Sequence, residues 1–89
     1  MIKAKIIFTV QRTFYNHYRP VFKTAEGMNN SCELIFINQE KSFYEKETYV
    51  YIKFLCPELV KDCLQEGAKF ELYEGPINVG YGIIIHVLL

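Results

Sequence analysis

Hydrophobic and polar residues alternate along most of the chain. From Lys3 to Gln11, Ala4, Ile6, Phe8 and Val10 fall on one side and Lys3, Lys5, Thr9 and Gln11 on the other, with Ile7 the exception. A period of two is that of a half-buried β-strand. Tyr18 to Lys23 reads as a second strand, which Pro20 confines to an edge, a bulge or its first residues. Thr24 to Ser31, with Glu26-Gly27 and Asn29-Asn30, has the composition of a loop, and Cys32 to Ile37 that of a third strand. Thr48 to Leu55 sets Val50, Ile52 and Phe54 against Tyr49, Tyr51 and Lys53 as a fourth, and Ala68 to Glu74 sets Phe70 and Leu72 inward as a fifth. After a turn at Glu74-Gly75-Pro76, Ile77 to Leu89 forms a sixth strand, in which Val79, Tyr81, Ile83, Ile85, Val87 and Leu89 alternate with Gly80, Gly82, Ile84, His86 and Leu88. Both faces of its second half are apolar, so it is expected to be central or covered on both sides.

Two stretches break the alternation. Asn38 to Lys46 is polar apart from Phe43 and Tyr44, which are expected to tuck back onto the sheet. Ser42 and Glu45 have the spacing of a capping box, which predicts a turn or a single helical turn there. Pro57 to Gly67 predicts a short helix or helical turn. Pro57 suits a first helical position, Glu58 complements the helix dipole, Leu59/Cys63 and Val60/Leu64 are spaced i,i+4, and Gly67 can end it. Six strands and one short helix predict an all-β fold closed into a barrel, which leaves no unpaired edge. The expected core contains Phe8, Phe22, Ile52, Phe54, Phe70, Leu72 and Ile83.

The 89 residues suit one domain spanning 1–89. At 51% hydrophobic and 22% charged, the chain is too apolar to remain disordered. The longest apolar run, Gly82 to Leu89, is interrupted by His86 and falls far short of the ~20 residues that span a bilayer. Met1 leads directly into strand alternation without the apolar core of a secretory signal, so a soluble cytoplasmic protein is expected. Cys32, Cys56 and Cys63 are odd in number and lack CxxC spacing. They read as reduced, mostly buried thiols rather than a disulfide framework or a metal knuckle.

Net charge is zero but unevenly distributed. Residues 1–23 hold five bases and no acid, whereas residues 24–89 hold five bases and ten acids. A basic first quarter suits a polyanion partner, and solvated strand faces explain it about as well. Catalytic material is sparse. His17 and His86 are the only histidines, and Glu71 and Glu74 have opposite strand parity, unsuited to a paired acid and base. No Gly-x-x-x-x-Gly-Lys-Ser/Thr loop is present to cradle nucleotide phosphates, so no nucleotide, cofactor or metal is expected and no enzymatic activity.

Two ordered blocks carry a family resemblance. The run Arg12-Thr13-Phe14-Tyr15-Asn16-His17-Tyr18-Arg19-Pro20-Val21-Phe22 is similar to the segment of the elongation factor Tu third domain that ends in a Gly-Tyr-Arg-Pro-x-Phe core. Gly67-Ala-Lys-Phe70-Glu-Leu-Tyr-Glu74-Gly75 and Val79-Gly80-Tyr-Gly82-Ile-Ile-Ile-His-Val87-Leu88 resemble that domain's C-terminal half, and Cys56-Pro57 stands where the family has His-Pro. The resemblance covers essentially the whole chain and implies a six-stranded barrel, standing alone without the GTPase domain that precedes it in the factor. The family's ending coincides with Val87-Leu88-Leu89, which favours a complete protein over a fragment.

The chain departs from the family in several places. The loop before Phe14 is shorter, the stretch from Pro57 to Gly67 is longer, Tyr44-Glu45-Lys46 replaces a Met-Pro-Gly-Asp turn, and Pro76-Ile77 replaces Gly-Arg. In the family this domain meets the tRNA T-stem backbone, the GTPase domain and the exchange factor Ts. The resemblance therefore implies Arg12, Thr13, Glu74 and Gly75 as candidate tRNA contacts, and Tyr18 and Arg19 as candidate protein-interface residues. Loss of a backbone donor at Pro76 and of a charge at Ile77 weakens the tRNA reading. The favoured expectation is a non-catalytic module that binds a protein partner or forms a homo-oligomer; tRNA backbone binding is the alternative.

Overall fold

A computed structural model describes residues 1–88 of the chain, so the predicted strand end at Leu89 lies outside the described residues. The strands are β1 (Ile2–Phe8), β2 (Thr13–Tyr15), β3 (Val21–Thr24), β4 (Asn29–Phe36), β5 (Lys41–Phe43), β6 (Glu47–Phe54), β7 (Lys69–Glu74) and β8 (Ile77–Val87). Six of them close into a barrel in the order β1-β6-β4-β3-β7-β8, and the remaining pair, β2 and β5, forms a separate two-stranded sheet. Every pairing is antiparallel, and β8 on β1 completes the circle. The expected all-β closed six-stranded barrel is present.

Inward residues fill the barrel because they alternate along each strand. Ile2, Ala4, Ile6 and Phe8 of β1, Cys32, Leu34 and Phe36 of β4, and Val50, Ile52 and Phe54 of β6 are all buried. Aromatic rings occupy much of the interior. Phe22 stacks on Phe70 at 4.5 Å between centroids and meets Phe54 edge-on at 4.9 Å, while Phe8 lies flat on Phe14 at 3.8 Å. Such pairs add to the transfer energy of burying the rings.

Glycine decides the inner face of β8. Gly82 stands where a Cβ would lie 2.6 Å from the Lys5 carbonyl oxygen and 2.6 Å from Phe70 Cζ. At Gly80 a Cβ would lie 2.9 Å from the Ile7 carbonyl oxygen. The inward row is therefore Gly80, Gly82 and Ile84, and the rings of Phe8 and Phe70 use the space that side chains would take. Ile83, expected in the core, points outward and is half-buried. The alternation is also shifted by an irregularity in the β7–β8 register between Leu72 and Tyr73, where Val79 and Gly80 are buried in succession. The other six expected core residues are buried.

Three more expectations need revision. The short helix is realised as two single 3-10 turns, Pro57–Leu59 and Lys61–Cys63. Its i,i+4 pairs give way to one anchor, Val60, buried between the turns. Asn30 fixes their start, because its side-chain amide donates to the Cys56 carbonyl and accepts from the Cys56 N–H. Phe43 and Tyr44 do not tuck back but stay exposed; buried Ser42 bonds to buried Thr48 instead, beneath a turn in which Glu45 has a positive φ. Finally, of the three thiols only Cys32 is buried; Cys63 is partly buried and Cys56 exposed.

Candidate functional site

Three of the residues singled out in the sequence meet at one end of the barrel. The short loop after β1 turns tightly, with the Arg12 N–H donating to the Val10 carbonyl at 2.9 Å, and carries the Arg12 guanidinium over the Phe14 ring at 4.5 Å. There it donates to both oxygens of Glu74, at 2.6 and 3.2 Å, and to the Tyr18 hydroxyl at 3.1 Å. Tyr18 donates in turn to Glu74 Oε1 at 2.6 Å. A bidentate Arg–carboxylate pair with a third donor is a strong polar arrangement for a surface. The hydrogen bonds from Arg12 and then Tyr18 hold the Glu74 carboxyl at about 2. Burial, followed by the bond to Glu74, pushes the Tyr18 phenol up. Sequence distances of 62 and 56 residues separate Glu74 from its two partners.

This constellation is a latch between the β1–β2 loop and the β7–β8 turn, and it spends Arg12 internally. Gly75 holds that turn. Glu74 pairs with Ile77 across a two-residue loop, and Gly75 takes φ 60 at the first central position, where hairpins require a residue tolerant of positive φ. Thr13 opens β2 opposite Phe43 and is exposed.

Arg19 is not part of the latch. It lines a cavity of about 510 Å³ on the β3–β4–β6 side, together with Ser31, Cys32, Glu33, Lys53, Phe54 and Leu55. Glu33 is cross-strand from Lys53 and binds His17 Nδ1 at 2.5 Å. That bond is the largest cause holding the Glu33 carboxyl below the usual carboxylate range. His17 sits in the left-handed region at φ 71, with its N–H bonded to the Asn16 side chain. The Cys32 thiol at the cavity wall donates to the Pro20 carbonyl, and burial pushes it up to about 12, so it is not a thiolate nucleophile.

The outer surface of β6, β1 and β8 is the third feature. The registers place Tyr51, Lys3 and His86 in one row, Tyr49, Lys5 and Ile83 in the next, and Glu47, Ile7 and Tyr81 in the third. Ile7, Ile83, Ile85 and Tyr51 are half-buried, while Tyr49 and Tyr81 are 45% and 48% exposed. The sequence predicts β8 to be central or covered on both sides; it is paired along both edges, with β7 and β1, while its outer isoleucines stay half-buried.

No family model matches the chain, and no curated protein matches it in sequence. No helix of the described residues is long and apolar enough to cross a membrane.

Proposed function

We propose that this chain is a non-catalytic, cytoplasmic protein-binding module related to the third domain of elongation factor Tu, docking through the outer face of β6, β1 and β8. The observation that carries this reading is the group of Ile7, Tyr81, Ile83 and Ile85, a partly exposed apolar outer surface beside Tyr49 and Tyr51. Contiguous apolar surface of this kind is unusual on a free domain and marks interaction sites. Lys3 and Lys5 interrupt it, and among the described residues only Lys5 of the two is paired, to Glu47 at 3.7 Å. A second copy would bring lysines against lysines, so a partner offering carboxylates among apolar side chains fits better.

Two features support this reading over tRNA binding and catalysis. The guanidinium of Arg12, which phosphate contact would need free, is already held by a carboxylate. His17 and His86 both face carboxylates, Glu33 and Glu66, and neither faces a cysteine.

A photo-crosslinking residue at position 83 or 85, compared with one at Glu40 as control, tests the proposal in the native cell. The expected result is one protein captured at 83 and 85 and not at 40. Capture of tRNA, of copies of the chain alone, or equal capture at position 40 would overturn it. Arg12→Glu should leave this capture unchanged; salt-dependent tRNA binding abolished by Arg12→Glu would favour the alternative.

A further inference from the structure

We infer that the cavity between Arg19 and Lys53 recognises the carboxylate of an acidic–apolar peptide segment. The cavity adjoins the proposed docking face along β6, where Lys53 and Phe54 follow Tyr49 and Tyr51, but Arg19 before β3 and Ser31, Cys32 and Glu33 on β4 lie away from β8, so its test reads different residues from the crosslinks at 83 and 85.

Charge is the first argument. The lining contains two cations, Arg19 and Lys53, and one carboxylate, Glu33. Neither cation forms an ion pair or a side-chain hydrogen bond among the described residues, although the chain has as many acids as bases. Glu33 is bonded to His17 and is the one lining carboxylate that Arg19 and Lys53 share, so the two cations outnumber their counter-ion. An additional carboxylate between the guanidinium and the ammonium would give each a partner, and such charge-assisted bonds are the stronger class.

Apolar surface is the second. Leu55 stands 74% exposed at the rim beside Phe54, while its own N–H is tied to the Ser31 carbonyl at 2.9 Å. Its backbone is thus fixed in the sheet and its side chain projects as a preformed wall. A leucine held out in water next to two cations that have no ion pair among the described residues suits a ligand whose carboxylate neighbours an aliphatic side chain. A phosphate group would use the cations but leave Leu55 idle.

The probe is acetyl-Leu-Asp-Leu-amide, titrated into nitrogen-15-labelled protein, with acetyl-Leu-Asn-Leu-amide as the isosteric neutral control. The Asp peptide should shift the amides of Ser31, Glu33, Lys53 and Leu55, and the Asn peptide should bind about tenfold more weakly, as for loss of a hydrogen bond to a charged group. The double substitution R19Q/K53Q should produce the same loss. Both positions are exposed, and an otherwise unchanged spectrum verifies the fold. Leu55→Ser should weaken the Asp peptide while leaving inorganic phosphate unaffected. Equal binding of the two peptides, shifts confined to other residues, or stronger shifts of these amides by uridine monophosphate than by the Asp peptide would overturn the assignment.

Discussion

Gly82 and Ile83 are consecutive residues on the two faces of β8, and they obey opposite rules. On the inner face there is no room for even a methyl group, because a Cβ at Gly82 would lie 2.6 Å from both the Lys5 carbonyl oxygen and the Phe70 ring. On the outer face Ile83 and Ile85 are only half-buried and Tyr81 is exposed. The same strand is thus over-determined by the fold on one side and undetermined by it on the other. Residues that the fold does not require to be apolar, and that are apolar nonetheless, are where a binding surface is to be sought.

The largest effect should come from the inner face. Gly82→Ala forces backbone or ring to move, and overpacking of this kind costs about 2–3 kcal/mol or more. For a domain of this size that lowers the melting temperature by roughly 10–20 °C. A melting temperature unchanged in thermal denaturation would mean the barrel wall is softer than its packing implies. A second variant sharpens the point. Introduced into Phe70→Leu, Gly82→Ala escapes the ring contact but not the clash with the Lys5 carbonyl, so it should cost less there than in the wild type and still destabilise.

The outer face should behave otherwise. Ile83→Thr with Ile85→Thr keeps β-branched side chains on the strand, and changes of this kind on a partly exposed face typically stay below about 1 kcal/mol. The same pair should abolish capture of the partner proposed above. If chemical denaturation shows instead a loss as large as that from Gly82→Ala, the outer isoleucines serve the fold, and the contrast between the two faces disappears.

Much of this fold was legible from alternation, since five strands fall close to where hydrophobic periodicity puts them. β8 was legible as a strand but not in its facing. Its outer row, Tyr81-Ile83-Ile85, is more hydrophobic than the inner row of Gly80, Gly82 and Ile84, so a rule that sends the apolar row inward chooses wrongly when aromatic rings from other strands fill the space. β2 and β5 are three residues each, too short for a periodic signal. The candidate site was legible in its residue types and not in its pairings. Arg12, Tyr18 and Glu74 stood out by resemblance, but only the closure of the barrel brings Glu74 to the other two. Lys53, part of the cavity beside Arg19, had no local signal, because its placement follows from the cross-strand register with Glu33.

The smallest effect concerns the latch that anchors β8 at its beginning. The Glu74 carboxyl is held at about 2, against an ordinary 4.5, first by Arg12 and then by Tyr18. A depressed carboxyl contributes stability that is fully present above its unfolded value and is lost as pH falls from about 4.5 through about 2. Glu74→Gln removes the charge but preserves the shape, so the variant should melt below the wild type at pH 7, with the difference shrinking as pH falls below about 4.5 and closing only below about pH 2, once Glu74 is protonated. Glu33, which is also depressed, is common to both proteins and cancels in the difference. Half of the Glu74 side chain faces water, and solvent screening keeps the effect well below that of Gly82→Ala. A melting difference that persists undiminished at pH 2 would assign the loss to packing of the side chain rather than to its charge. The Arg12→Gln/Glu74→Gln cycle separates the pair itself from its surroundings. If the latch only fixes the turn before β8, all these variants should still be captured through Ile83 and Ile85 as well as the wild type.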